Sequence, residues 1–404
     1  MPGIAQKTDF GTGDLSDLTP AGVEAAIRML SDEFAATGEK TELERQPPQQ
    51  LFDKLAATGV FRMLWPREFG GGGFRLPDAL PVIETLASLD GSAGWSTMIG
   101  VESAALWTRF EPGIATAHTP EYGVLTRASL IPRGVAVETS DGWHLKGHWP
   151  LASGAYDADW FIAAAMVKDG DAIRMLPNGL PDARIFAVPP DRVEIRDTWR
   201  ALGLRSTMSH DILIDTVLPA HHAAPAAGTG LPGSPWPLGR LPTWMALGPF
   251  HCAVIIGIVR GALGDVIELL PTKRPVLNPT IRTCEDPLVQ HSVGAAATRL
   301  DAARAFLMTE ANASWAMAED GDVFAPRDRI RFRSMLSHVH AECVTIMDVL
   351  FSLVGANPLY DGSALQRRYR DLRAACQHVT ASPEVFRPYG AMLMDVPVPN
   401  EAAL

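Results

Sequence analysis

The chain has 404 residues, four cysteines and a formal net charge of −11. An apolar fraction of 47% and a charged fraction of 20% describe a globular protein of two or three domains. The acidic balance argues against non-specific binding to nucleic acid or to an anionic membrane, because both attract basic patches. The cysteines are widely spaced and no CxxC occurs, so neither a zinc site nor a disulfide framework is indicated. The longest apolar run, 252–259, is too short to span a bilayer, and the N-terminus lacks a basic, then apolar, leader pattern. A reduced cytoplasmic compartment is the expectation.

Residues 1–120 are expected to form an N-terminal helical domain. Thr19-Pro20 reads as a helix cap with proline in the first turn, and Val23, Ile27, Leu30 and Phe34 follow at helical spacing. Further helices are expected near 48–58, after Pro77, and near 91–108, the last carrying Trp95, Met98 and Ile99. Residues 121–222 change period. Runs such as GVAVETS, WHLKGHWPL, DWFIAAAMV and HDILIDTVLP, separated by turn pairs, predict a small antiparallel barrel or sandwich. Residues 223–243 are a Pro/Gly/Ala-rich linker. Residues 244–404 return to helical period and predict a bundle of about four helices. One stripe is Leu288, Ser292, Ala296, Leu300, Ala303 and Leu307; another is Ile330, Met335, Val339, Cys343, Ile346 and Leu350.

The four glycines in EFGGGGF invite a phosphate-loop reading. No Lys-Ser/Thr follows and no strand–GxGxxG–helix context surrounds them, so a turn is the better reading. HExxH and GxSxG are absent. In GHWPLASG, Ser153 follows a strand and precedes a glycine, where backbone can approach a ligand closely; taken alone, an ordinary serine turn is the better reading. TWRALGLRSTMSHD carries Trp199 and then Arg205, Ser206, Thr207 and Ser209 on one tight loop. That donor set suits a polar or anionic ring system, and also a plain β-turn.

LWPREFGGGG, ETLASLDGSAGWSTMIG, LKGHWPLASGAYDADWF, ALGLRSTMSHDILID and GIVRGALGDVIELL together resemble the acyl-CoA dehydrogenase superfamily over about residues 20–390. The resemblance implies a mostly α protein with a central β domain: N-terminal helical domain, small β-barrel or sandwich, C-terminal four-helix bundle. It is closest to the two-component flavin-dependent monooxygenases that hydroxylate aromatic compounds. Such enzymes take reduced FMN or FAD from a separate flavin reductase, react with oxygen and are homotetramers; reduced FMN is the expectation here.

RDLRAACQH separates the branches. The dehydrogenases carry a catalytic glutamate about two turns after the Arg-Asp pair. Here residues 372–383 contain no Asp or Glu, and His378 stands near that place. A histidine can donate or accept a proton near neutrality, as an oxygen-activating site requires. The resemblance gives Ser153 the flavin N5–H and puts Trp95, Trp149 and Trp199 around the ring, where with Met98 they exclude water. Arg205, Ser206 and Thr207 would meet its polar groups, and Arg282 its phosphate from a neighbouring subunit. Glu102 stands where several members have a second histidine; it is either a substitute base or a solvated helix residue. Two other readings stay open: a dehydrogenase-type FAD enzyme with a base displaced to Glu102 or Asp361, and a non-catalytic scaffold.

Overall fold

The computed structural model describes residues 18–111, 114, 125–155, 158–226, 236–275 and 278–398. The N-terminal part is helical. Helices α1 (Pro20–Arg28), α2 (Ser31–Glu44) and α3 (Gln49–Ala57) surround α4 (Leu76–Leu89), α5 (Gly91–Glu102) and the short α6 (Ala104–Trp107). Thr19 caps α1 by accepting from the Gly22 N–H at 3.1 Å, and Asp90 caps α5 by accepting from Ala93 at 2.8 Å. The glycine run between α3 and α4 is a turn. The N–H groups of Gly70, Gly71, Gly72 and Gly73 each go to a protein carbonyl, which leaves none of them for a phosphate.

Strands β1 (Thr126–Thr139), β2 (Gly142–Ala152), β3 (Trp160–Asp169), β4 (Ala172–Ile173), β5 (Ala183–Val188), β6 (Val193–Arg196), β7 (His210–Leu218) and β8 (Ala223–Pro225) form one sheet. Its order is β6-β7-β2-β1-β3-β5-β8, with β4 added to β3. The sheet is mixed, not purely antiparallel as expected, because β1 and β3 run parallel. It curls around its own core of Trp143, Leu145, Trp149, Phe161, Phe186 and Ile212. The linker expected over 223–243 is narrower: residues 223–225 pair with β5, and Pro237–Arg240 form a helical turn. Residues 227–235 lie outside the described residues.

The C-terminal bundle contains α7 (Thr243–Leu269), α8 (Pro287–Asp320), α9 (Pro326–Leu353) and α10 (Ala364–Ala375), followed by the short α11 (Phe386–Leu393). Helix α7 is apolar nearly all round, so it runs through the middle, against α4, α5, α9 and α10. The six-residue stripe from Ile330 to Leu350 is buried throughout. By length and composition α9 could cross a membrane, but that stripe faces the bundle. The stripe on α8 is buried at Ala296, Leu300, Ala303 and Leu307, while Leu288 at the helix start is exposed. Glu84 on α4 joins the two helical parts by accepting from Arg260 at 2.7 Å and Arg304 at 2.6 Å.

Candidate active site

Helix α10 ends at Ala375, and His378 opens a separate turn, Val379–Ala381. The Arg-Asp pair ahead of it has a structural task. Asp371 accepts from the Leu204 N–H at 2.6 Å, and Arg370 donates to the Leu202 carbonyl at 2.9 Å. These bonds hold the 198–211 loop against the helix that leads to His378. Leu204 and Met208 in that loop have φ of 50° and 48°, left-handed conformations that persist only when surrounding contacts fix them.

Ser153 reaches the same place from the sheet. A β-bulge interrupts the β2–β7 pairing between Trp149 and Ala152, and Leu151 inside it has φ 66°. A bulge re-aims the residues that follow it. The next turn is fixed by Arg127 of β1, which donates to the Gly154 carbonyl at 3.1 Å and the Ser96 carbonyl at 2.7 Å. Gly154 has φ 73°, and a Cβ there would come within 2.5 Å of the Arg127 guanidinium. Arg127 thereby ties the Ser153 turn to α5.

Helix α5 supplies Trp95, whose indole N–H donates to Ser153 Oγ at 3.1 Å. Ser153 Oγ lies 2.7 Å from Ser209 Oγ, which lies 2.6 Å from Thr207 Oγ1. The Trp95 ring meets two imidazoles edge-on, His251 at 5.1 Å and His378 at 5.8 Å between centroids. The two imidazoles are stacked, 4.1 Å apart with 13° between planes. Glu102 Oε1 stands 3.4 Å from His251 Nε2.

Burial decides the protonation of this cluster. It raises the Glu102 carboxyl well above the ordinary range and lowers His251 to about 3. His378 is held well below the ordinary histidine value by burial and by the neighbouring His251 and His340. At the Glu102–His251 contact, burial therefore favours the uncharged form of both groups. Behind His378, its Nδ1 is 3.0 Å from Thr380 Oγ1, which is 3.5 Å from His340 Nε2. His340 Nδ1 donates to the Leu336 carbonyl at 2.8 Å.

Sequence reasoning chose some of these residues and missed others. Trp95, Ser153, Thr207 and His378 come together. Glu102 is not solvated: it is 6% exposed. Trp149 is not at the site. It is fully buried in the sheet core and donates its indole N–H to the Ala164 carbonyl at 2.6 Å. The alternation of Trp143, Leu145 and Trp149 on one strand face carried that information. Trp199 is half-buried and donates to the Leu204 carbonyl, so it braces the loop. Ser206 lines a cleft with Phe61, Ser92, Ser96 and Arg127, and Arg205 pairs with Glu42 of α2 at 3.8 Å. Arg282 is exposed and pairs with Glu285 at 2.9 Å, and Asp361 sits in the exposed turn before α10. The main omission is His251. Its signal was a titratable side chain inside PFHCAVIIG, the most apolar stretch of the chain.

Residues 21–110 match the family model for the acyl-CoA dehydrogenase N-terminal domain, and residues 250–383 match that for the C-terminal domain. The chain belongs to the acyl-CoA dehydrogenase superfamily. A curated relative, the flavin-dependent monooxygenase oxygenase subunit HsaA of Mycobacterium tuberculosis, is 27% identical over 377 residues, covering 90% of this chain and 92% of the relative. The indole-3-acetate monooxygenase of Pseudomonas putida is 26% identical over 349 residues, 86% of this chain and 87% of that one. The solved structure of XiaF from Streptomyces sp. in complex with FADH2 and glycerol superposes with a TM-score of 0.85 at 23% identity, covering 94% of this chain and 97% of that one. That superposition concerns the fold.

The site's own atoms fit a flavin. Ser153 Oγ has two hydrogen-bond neighbours and room for a third. Glu102 Oε2 and His251 Nδ1 are buried without a protein partner, so each can still bond to a further group. Among the described residues no cluster of His, Cys, Asp or Glu is arranged to hold a metal.

Proposed function

We propose that this protein is the oxygenase component of a two-component flavin-dependent monooxygenase that hydroxylates a small aromatic compound. It takes reduced flavin, FMN in preference to FAD, from a separate reductase, and works as a soluble cytoplasmic homotetramer. The observation that carries this reading is the His378–His251 stack where a dehydrogenase needs a free carboxylate base. The carboxyl beside it, Glu102, is pushed toward its uncharged form by burial and stands 3.4 Å from His251, and Asp361 is on an exposed turn. Neither is placed as a free, ionised carboxylate base of the kind a thioester α-proton requires. The relatives support the same reading, since they are named as oxygenase subunits and aromatic monooxygenases.

Reduced flavin supplies the electrons with which dioxygen is activated. The protein's residues supply the rest. Ser153 accepts a hydrogen bond from the ring N–H of the reduced cofactor. His378, neutral at pH 7, takes a proton from a substrate hydroxyl or returns one to the reacting oxygen. Trp95 closes the site between them and keeps water out. Ser206 and Arg205 bind further cofactor groups at the loop, and Arg282 reaches the phosphate of a neighbouring subunit's flavin.

The test supplies reduced FMN from an NADH-dependent flavin reductase, with 18O2 and a panel of phenols and indoles. One labelled oxygen atom is expected in a product, with no flavin reduction by acyl-CoA thioesters under anaerobic conditions. Anaerobic bleaching of bound FAD by an acyl-CoA thioester would overturn the reading. Arg282→Ala is expected to weaken flavin binding without lowering the melting temperature.

A further inference from the structure

The hydroxyls of Thr207, Ser209 and Ser153 form a chain whose direction is fixed at one end. Thr207 Oγ1 lies 2.8 Å from the Leu204 carbonyl, which also receives the Trp199 indole N–H at 2.8 Å and the Thr207 N–H at 3.2 Å; a carbonyl only accepts, so in this contact the Thr207 hydroxyl is the donor and its single proton goes there. The 2.6 Å contact between Thr207 and Ser209 must then use the Ser209 proton. The 2.7 Å contact between Ser209 and Ser153 must in turn use the Ser153 proton. Ser153 Oγ also receives the Trp95 indole N–H. It has no proton left to give, and one lone pair free to accept. All four side chains are nearly fully buried, so solvent does not reset the order.

A flavin presents opposite faces to such an oxygen in its two redox states. Reduced N5 carries a proton and donates; oxidised N5 carries a lone pair and accepts. We propose that Thr207 and Ser209 are positioning residues that lock Ser153 as an acceptor, so that this site selects reduced over oxidised flavin. The inference rests on the flavin-dependent reading above. Selection of this kind matters to an enzyme fed by diffusion, because discharged oxidised flavin competes for the site on every turnover.

The experiment measures the dissociation constants of oxidised and reduced FMN, without substrate or turnover. Oxidised FMN is titrated by fluorescence quenching, reduced FMN by anaerobic ultrafiltration. The wild-type ratio of oxidised to reduced constants should exceed one. Ser209→Ala frees the Ser153 proton to donate to oxidised N5, and should lower that ratio about 5–10-fold, the worth of one hydrogen bond. Thr207→Val should lower it as well, whereas Thr207→Ser keeps the donor to Leu204 and should restore the wild-type ratio. The Ser209→Ala change should have no effect on the ratio in a Ser153→Ala background. A Ser209→Ala ratio within twofold of wild type, in a protein that binds FMN, overturns the chain alone. Wild-type protein that binds neither FMN nor FAD in either redox state overturns the flavin reading, and this inference with it.

Discussion

The imidazoles of His251 and His378 lie face to face, 4.1 Å apart, one from the central helix of the bundle and one from the turn after α10. Two stacked rings at this distance cannot both be charged in a buried setting, because the repulsion adds to the desolvation of each. Burial accordingly lowers both histidines below the ordinary imidazole value, so at pH 7 the stack is uncharged.

His378→Asn should keep the fold and flavin binding, since Asn is smaller and retains polar contacts to Thr380. Coupled hydroxylation should fall about 10²–10⁴-fold, the usual worth of a positioned acid–base group. Hydrogen peroxide should become the main fate of oxygen, measured per NADH consumed. The acid limb of the wild-type pH–rate profile should fall below pH 6.5, because burial and the neighbouring imidazoles hold His378 below that value. Full coupling in the variant would remove His378 from the mechanism.

Glu102→Gln separates a neutral contact from an ion pair. If the Glu102 carboxyl is already protonated, the amide should cost less than about 1 kcal/mol at pH 7. Breaking a buried ion pair with His251 would instead cost about 3–5 kcal/mol. Denaturant melts at pH 7 decide between the two.

Ser153→Ala leaves the Trp95 indole N–H and the Ser209 hydroxyl without their partner. Peroxide leakage should rise on the order of tenfold, the effect of one hydrogen bond of about 1.4 kcal/mol. Reduced flavin should still bind. Unchanged leakage, assayed by peroxidase coupling, would count against the role given to this hydroxyl.

Asp371→Asn tests the loop clamp through pH. Burial, with the nearby Asp90 charge adding, raises the Asp371 carboxyl from 3.8 to about 7 in the folded protein. Between those values the unfolded chain holds fewer protons than the folded one, so wild-type stability falls as pH rises. Asn keeps an acceptor for the Leu204 N–H and carries no such cost. The melting temperatures should coincide near pH 4, diverge in favour of the variant up to about pH 7, and stay parallel above it. The gap corresponds to at most about 4 kcal/mol. A variant less stable than wild type at pH 8 would show that the carboxylate is required.

The sequence by itself determined the order of the domains, because helical and strand periods are written in the apolar spacing of α9 and of β2. It also showed that residues 372–383 contain no carboxylate. Strand parity in β2 was legible too, and following it would have kept Trp149 in the core. Only the tertiary structure decided which side chains meet. Trp95, His251 and His378 come from separate helical segments of the chain, and packing of α5 and α10 against α7 brings them together. The parallel pairing of β1 with β3 was equally hidden, because strand period does not encode strand direction. Protonation was hidden for the same reason as proximity. A glutamate on a helix is solvated or neutral according to what covers it, and the cover over Glu102 is supplied by other segments of the chain, with His251 of α7 at its head.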